Sequence, residues 1–496
     1  MRVLRAFALA VLFVCPALVC AAAARAASSP TGADTAVANG SAAVAGSPLA
    51  PVTFASGDGL TVQTQKALDT RLYALTISTK MLPGIVNVRI LLPSGYASHP
   101  HKRYPVLYLL HGTSGTASDW TVMGNAEPAT AGLPLIVVMP DIALNDGGGG
   151  YCTNFPDGTQ DWTTFHIDEL IPWVQSNLRT LNSRSERAIA GLSQGGFCSL
   201  SYAARYPSLF GEAFSFSGDV DIAQDPDARN EFLGIQAATA TGLDGGLAPD
   251  AFFGNPTSDY LNYADHDPAT LAANLRETKL YIYFGDGVPG PFDSPTNSAT
   301  IGGAPIEAYI HQVNLDFHTR LEQLGITPAV YDPYGSGTHS WPYWNRDLTW
   351  SLPDLMSDFA HPVPTPRSFS FMSAAGTYSD FGWTVALRRP AAEFSTLTVR
   401  NASGFSLAGS GTATVTTARL YRPRRRFSVV VRSQGSPAVT LNLRSDAAGR
   451  LDVPAALGPA DTEQEYSLGG SPALSPGTHV YTTTVSISAR RSHRTH

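Results

Sequence analysis

The chain has 496 residues, 43% of them hydrophobic and 15% charged, with a formal net charge of −7. That length exceeds one ordinary hydrophobic core, so two domains are expected, and the composition is that of a globular protein. The acidic balance excludes a general electrostatic case for binding nucleic acid.

The first residues read as a processing segment. "MRVLRAF" supplies positive charge, "ALAVLFVCPALVC" an apolar core, and Ala24-Arg25-Ala26 the small residues of a cleavage site. A signal peptide over 1–26 and export are therefore expected. The alternative is a retained anchor, because the apolar run 7–24 is barely long enough to span a bilayer. Cys15 and Cys20 leave with the signal, so only Cys152 and Cys198 remain. Two cysteines in an exported chain usually pair, the alternative being two buried free thiols. Residues 27–52 are Ala, Ser, Gly and Thr with almost no large apolar side chains, which predicts a flexible leader.

From 53 to about 360, strand and helix patterns alternate. Strands are predicted at 87–93, 105–112, 134–140, 187–193, 212–218, 279–287 and 328–334, several as continuous apolar runs. "TTFHIDELIPWVQSNL" reads as a helix with Phe165, Ile167, Leu170, Ile171, Val174 and Leu178 on one face. "IEAYIHQVNLDFHTRLEQLG" reads as another, burying Ile306, Tyr309, Ile310, Val313, Phe317 and Leu321 and stopping at Gly325. Such alternation predicts an α/β domain with a mostly parallel sheet. Pro362, Pro364 and Pro366 mark a linker at 361–369. Beyond it, 370–496 holds short runs rich in Val, Thr and Ser between turn residues, which predicts a small all-β sandwich. Residues 365–496 contain 15 Arg, no Lys and 7 acidic residues. Their cluster "RPRRR" (422–426) reads either as a contact for an anionic envelope polymer or as a solvated turn.

The chemistry centres on "AIAGLSQGGFCSL" (188–200). A buried strand ends at Ser193 and a helical pattern begins after it, the strand–G-x-S-x-G–helix context of a nucleophile elbow. Gly191 and Gly195 allow the tight turn. The turn exposes the serine oxygen and aims the N–H groups of a helix start at developing negative charge. A serine hydroxyl needs a base, and in this fold class the order is Ser, acid, His. His339 follows the last α/β strand and a Gly-rich loop, whereas His311 and His318 lie within a helical pattern and His361 in the linker. The acid must lie between Ser193 and His339; Asp286, just after a strand, and Glu307, by the next helix, both qualify. One oxyanion donor is the backbone N–H of Gln194. Cys198 is on the helix after the nucleophile and Cys152 in the loop after strand 134–140, both toward the same sheet edge, so a bridge between them is geometrically feasible. Trp120, Trp341 and Trp344 read as cleft walls or as core.

"GTHSWPYW" together with "GLSQGG" resembles the secreted mycolyltransferases of the antigen 85 group and their esterase D relatives. The likeness spans roughly residues 56–358 and includes "YPVLYLLHG", "FHIDELIPWV" and "FFGNPTSDYLNYADHDP". It implies an α/β-hydrolase fold. In that family the acid is a glutamate seven residues before an Asn that opens an N-x-x-F segment; here that Asn is Asn314, so the resemblance points to Glu307 over Asp286. It also places the second oxyanion N–H at Thr113. The mycolyltransferases carry an acidic residue and arginines for a sugar acceptor in the loop after the early strand, whereas "HGTSGTASDW" has no Arg.

The resulting expectation is a secreted or envelope-associated serine hydrolase or acyltransferase acting on a small-molecule, lipid or glycan ester. Its nucleophile is Ser193, with His339 and Glu307, and it requires no metal or cofactor. Trehalose mycolyltransferase or diacylglycerol acyltransferase activity is the narrower alternative. A catalytically silent envelope-binding protein on the same fold is the alternative from another class.

Overall fold

The computed structural model describes residues 52–144, 147–244, 246–294, 296–466 and 477–489. The expected signal peptide, and all but the last residue of the expected leader, lie outside the described residues.

The first large element is a nine-stranded sheet ordered β1-β2-β3-β5-β4-β6-β7-β8-β9. Its strands are β1 (Thr61–Ala67), β2 (Leu72–Ser78), β3 (Ile85–Leu91), β4 (Val106–Leu110), β5 (Ile136–Pro140), β6 (Arg187–Leu192), β7 (Glu212–Phe216), β8 (Lys279–Phe284) and β9 (Val330–Pro333). β5-β4-β6-β7-β8-β9 are parallel, and β1, β2 and β3 add antiparallel pairs at one end. The parallel strands are continuous apolar runs because both faces are covered. Val106, Tyr108, Leu110, Ile189 and Ile282 join one core, and Leu107, Leu109, Ala190, Phe214 and Tyr283 another. The sequence pattern missed β1, where TVQTQKA is an exposed edge with no apolar face, and also β2, whose LYALTIS run buries Leu72, Tyr73, Leu75 and Ile77.

The helices are α1 (Asp119–Val122), α2 (Ala126–Ala129), α3 (Ile171–Asn177), α4 (Gln194–Arg205), α5 (Pro226–Gly242), α6 (Tyr260–Ala264), α7 (Ser298–Gln323) and α8 (Trp341–Ala360). The helix predicted over 163–178 is wound as a π-helix over Thr164–Leu170 before it becomes α3. α7 starts eight residues before the predicted IEAYIHQV run and carries Pro305 inside it. Its buried face holds Glu307, Ile310, Val313, Asn314, Phe317 and Leu321, while Ile306, expected in the core, is exposed.

The C-terminal strands form two antiparallel sheets. One is ordered β10-β13-β14-β19-β16-β17 and the other β11-β12-β15-β18. They are β10 (Phe369–Ser373), β11 (Thr377–Asp380), β12 (Trp383–Arg388), β13 (Ser395–Asn401), β14 (Gly404–Gly409), β15 (Thr412–Thr416), β16 (Arg426–Ser433), β17 (Val439–Arg444), β18 (Asp452–Ala456) and β19 (Tyr481–Ala489). Alternate residues such as Trp383, Val385, Leu397, Val399, Val429 and Val453 fill the core between them.

These sheets dock on the α/β layers through side-chain-to-backbone bonds. The Asn274 amide donates to Met372 O (2.8 Å) and accepts from Met372 N (2.8 Å). Asp265 accepts from Ala374 N (2.9 Å), Asp380 accepts from Ser208 N (2.9 Å), and Tyr466 packs edge-on against Tyr260. Burial pushes the Asp380 carboxyl up to about 6, with the Ser208 hydrogen bonds and the Arg184 charge pulling the other way.

A raised acid pKa makes the folded chain hold a proton that the unfolded chain releases, so this group's contribution is fully present at low pH and is lost as pH rises from about 4 to about 6. Asp380→Asn keeps the acceptor for Ser208 N without the charge. Its melting temperature should equal or exceed that of the parent at pH 7, and the gap should shrink as the pH approaches 4. A deficit in the variant at pH 7 that vanishes toward pH 4 would show instead that the carboxylate charge stabilises the joint.

Candidate active site

Every residue from 187 to 204 is buried except Ser193, which is half-exposed. It sits between β6 and α4 with φ 52° and ψ −122°, a conformation L-residues rarely adopt. The turn is held from both sides. Ser193 N donates to Phe216 O (2.9 Å), and Ser193 O accepts from Gly196 N (2.8 Å) and Phe197 N (3.0 Å). A Cβ on Gly191 would lie 2.4 Å from Gly195 C, and one on Gly195 would lie 2.3 Å from His111 O. Both positions therefore require glycine because backbone passes directly over them.

The expected oxyanion donors come from neighbouring strand ends. Thr113 follows β4, and Gln194 is the first residue of α4, where helix geometry leaves its N–H without an intrahelical acceptor. The Gln194 amide joins the two segments, donating to Gly148 O (3.2 Å) and to Thr113 Oγ1 (3.4 Å). His111 props the β4 turn from beneath: Nδ1 donates to Gly112 O (2.7 Å) and Nε2 accepts from Ile142 N (2.9 Å).

On the opposite side, the Glu307 carboxylate is 0% exposed and accepts three hydrogen bonds. Oε2 takes one from His339 Nδ1 (2.6 Å), and Oε1 takes one each from Ser217 Oγ (2.8 Å) and Gly285 N (2.7 Å). With Nδ1 donating to the carboxylate, a neutral His339 presents Nε2 as an acceptor. Nε2 is buried and makes no hydrogen bond, and the ring edge rests on Trp344. Asp286 turns elsewhere and accepts from Val288 N in its own turn. The rival histidines are engaged elsewhere: His311 on Gly285 O, His318 stacked on Tyr331, and His361 on Ser357 O.

Several contributors escaped the sequence. Ser217, at the end of β7, shares with Ser193 a positive φ of 51°, which no local pattern signals. Asp293 straps the loop before α7 onto the histidine loop. Its carboxylate accepts from Thr338 Oγ1 (2.5 Å), Tyr343 OH (2.7 Å), Gly290 N (2.8 Å) and Thr300 Oγ1 (3.2 Å), and these bonds outweigh desolvation to hold its pKa below the ordinary value. The loop after β4 contains no arginine, yet Arg89 of β3 reaches it and donates to Ser118 O and Thr121 Oγ1. Asp347 of α8 accepts from Arg346 (2.6 Å), and burial pushes its carboxyl up to about 7.

Trp120 is core, edge-on to Phe216 and Trp341 and donating to Leu110 O; Trp344 is buried against His339, and Trp341 is half-buried between these two. Cys152 and Cys198 form a disulfide that ties the loop after β5 to α4. Among the described residues no group of three or more His, Cys, Asp or Glu is arranged to hold a metal ion.

Two outcomes follow from this geometry. Asp293→Ala should loosen the loop that carries His339, read as faster amide hydrogen exchange in that loop, and Asp293→Asn should keep part of the protection; equal exchange in all three proteins would show that the strap does not hold the loop. The disulfide closes a span of 46 residues, so Cys152→Ser with Cys198→Ser should cost roughly 2–4 kcal/mol of stability, read by denaturant unfolding.

Comparison with known proteins places the chain in a family. The esterase family model matches residues 79–355. Esterase Rv1288 of Mycobacterium tuberculosis is 31% identical over 287 residues, covering 56% of this chain and 58% of that protein; the chain thus spans less than two thirds of that relative. The diacylglycerol acyltransferase/mycolyltransferase Ag85B of Mycobacterium leprae is 29% identical over 53% of this chain and 78% of its own length. Among solved structures, Mycobacterium tuberculosis MPT51 aligns with 57% of this chain and 97% of its own at 24% identity, with a TM-score of 0.46. With a family match over more than half its length, the chain belongs to the esterase family, the family to which its likeness to the antigen 85 mycolyltransferases also points.

Proposed function

We propose that the protein is a carboxylic ester hydrolase or acyltransferase working through Ser193, His339 and Glu307. The observation that carries this reading is the buried Glu307 carboxylate fixing His339 Nδ1 while Nε2 stays without a partner, on a fold whose one half-exposed residue in the elbow is Ser193.

Ser193 Oγ attacks the ester carbonyl carbon as His339 Nε2 takes its proton. Glu307 keeps the imidazole in the required tautomer and stabilises the imidazolium, with Ser217 and Gly285 N–H keeping the carboxylate in place. The carbonyl oxygen gains negative charge and is held by the Thr113 and Gln194 N–H groups. Collapse of the tetrahedral adduct breaks the ester bond, and His339 returns the proton to the leaving alcohol. The acyl-enzyme then passes to water or to a second alcohol by the reverse sequence, and exclusion of water decides between them. The relatives' names, an esterase and a diacylglycerol acyltransferase/mycolyltransferase, span the same two outcomes.

In this reading residues 53–360 are the catalytic domain and 370–496 an accessory β domain after a proline-rich linker. The charged start and apolar run at 1–26 support export, and the acyl donor is a small-molecule, lipid or glycan ester.

Release of p-nitrophenol from short and long acyl esters tests the reading, with glycerol or trehalose as added acceptors. The expected result is turnover by the parent, a loss of at least about a thousandfold in Ser193→Ala, and fluorophosphonate labelling of the parent alone. Acyl glycerol or acyl sugar among the products identifies a transferase; free acid alone identifies an esterase. Equal inertness of both proteins on every ester would overturn the assignment and favour a binding protein on this fold.

A further inference from the structure

The arginine turn of the C-terminal sheets takes no part in the chemistry above, yet it is built with more care than a solvated loop requires. Arg422, Arg424, Arg425 and Arg426 are all exposed at the entry to β16, and the ladder sets Arg426 directly opposite Arg444 of β17. Like charges facing each other across a ladder destabilise a sheet. No acid relieves them: among the described residues none of these five arginines forms an ion pair. The carboxylates nearby in sequence are committed elsewhere, Asp446 to the N–H groups of Ala448 and Arg450 and Asp452 to Thr416 Oγ1. A single edge charge would suffice to discourage strand-to-strand aggregation.

The backbone under these side chains is also fixed. Ser445, 2% exposed, sits beneath the turn: its hydroxyl donates to Arg422 O (2.6 Å) and accepts from Arg425 N (3.1 Å), and its N–H donates to Arg425 O (2.9 Å). Arg424 N donates to Asp446 O (3.1 Å), Arg444 Nε donates to Arg424 O (3.1 Å), and Arg424 is left-handed at φ 56°. The result is five arginines carried on a pinned backbone, so the backbone loses little conformational entropy when a ligand engages them.

Arginine presents a planar fork that matches carboxylate oxygens two at a time. Beside the Arg426–Arg444 pair, on the same strand face, the next register pair is Ser428–Asn442, short polar groups suited to sugar hydroxyls. From this juxtaposition we propose that the face formed by Arg422–Arg426 and Arg444 binds an acidic, carboxylate-bearing polysaccharide and holds the α/β layers beside it. The charge division supports the same partner: residues 365–496 carry 15 Arg against 7 acidic residues in a chain whose total is −7.

The test uses the full chain carrying Ser193→Ala, so that binding is measured apart from ester turnover and its failure says nothing about the proposed catalysis. Polygalacturonate is titrated at low salt and at about 0.15 M salt. Neutral dextran, long-chain polyphosphate and anionic phosphatidylglycerol vesicles form the other arms. Binding to polygalacturonate that weakens with salt is expected. Arg422→Ser, Arg424→Asn and Arg425→Ser together should weaken it at least about tenfold, Asn being chosen because it tolerates the left-handed backbone. Arg400→Ser with Arg432→Ser, two exposed arginines away from the turn, should change it less than about twofold. Ser445→Ala keeps all five charges and should still weaken binding measurably. The proposal falls if the triple variant binds like its parent, if the Arg400/Arg432 variant loses as much, or if polyphosphate or the vesicles bind as tightly as polygalacturonate. A Ser445→Ala protein that binds undiminished would overturn the pinned-array geometry.

Discussion

The backbone at Ser193 is the constraint around which the α/β layers are arranged. A non-glycine residue at φ 52° and ψ −122° costs on the order of 1–3 kcal/mol and persists only where its surroundings leave no alternative. Here the surroundings are the ends of three parallel strands. β7 supplies the acceptor for Ser193 N at Phe216, β4 passes its His111 carbonyl over Gly195, and β6 itself folds so closely that Gly191 and Gly195 touch. The same strand ends carry Thr113, Ser193 and Ser217. The strain is thus tied to the convergence that gives these residues a common location.

The second half of the site is assembled from elements far along the chain. α7 supplies Glu307, the loop after β9 supplies His339, and Asp293 ties the intervening loop to both. A fully buried carboxylate is costly to ionise unless donors surround it, and Glu307 has three: an imidazole, a hydroxyl and a backbone N–H. Those donors come from the loop after β9, the end of β7 and the end of β8. The carboxylate therefore fixes the histidine and also stitches α7 to the sheet edge that bears the nucleophile.

The C-terminal sheets are joined by more than the proline-rich segment. Asn274, Asp265 and the Ser208 N–H of the α/β layers pair with Met372, Ala374 and Asp380, which lie in or beside the first two C-terminal strands. Tyr466 also packs edge-on against the buried Tyr260, so the junction combines polar bonds with apolar contact. The segment 361–369, read in isolation, carries none of this information.

The elbow was legible in the sequence because its determinants are contiguous: an apolar strand run, two glycines flanking a serine, then a helical period. The α/β alternation, the all-β texture after Pro366 and the place of His339 after the last strand were legible for the same reason, since each is a pattern over neighbouring residues. Tertiary structure alone decided what depends on distant segments meeting. Residue pattern left Asp286 and Glu307 level and the family resemblance pointed to Glu307; the contact itself belongs to the fold, which brings the third turn of α7 against Ser217 and Gly285, puts Glu307 on His339 and leaves Asp286 capping its own turn. The Asp293 strap, the reach of Arg89 into the β4 loop and the Arg426–Arg444 register were invisible for that reason: a hydrogen bond or a ladder pair between residues tens of positions apart leaves no periodic trace in either segment.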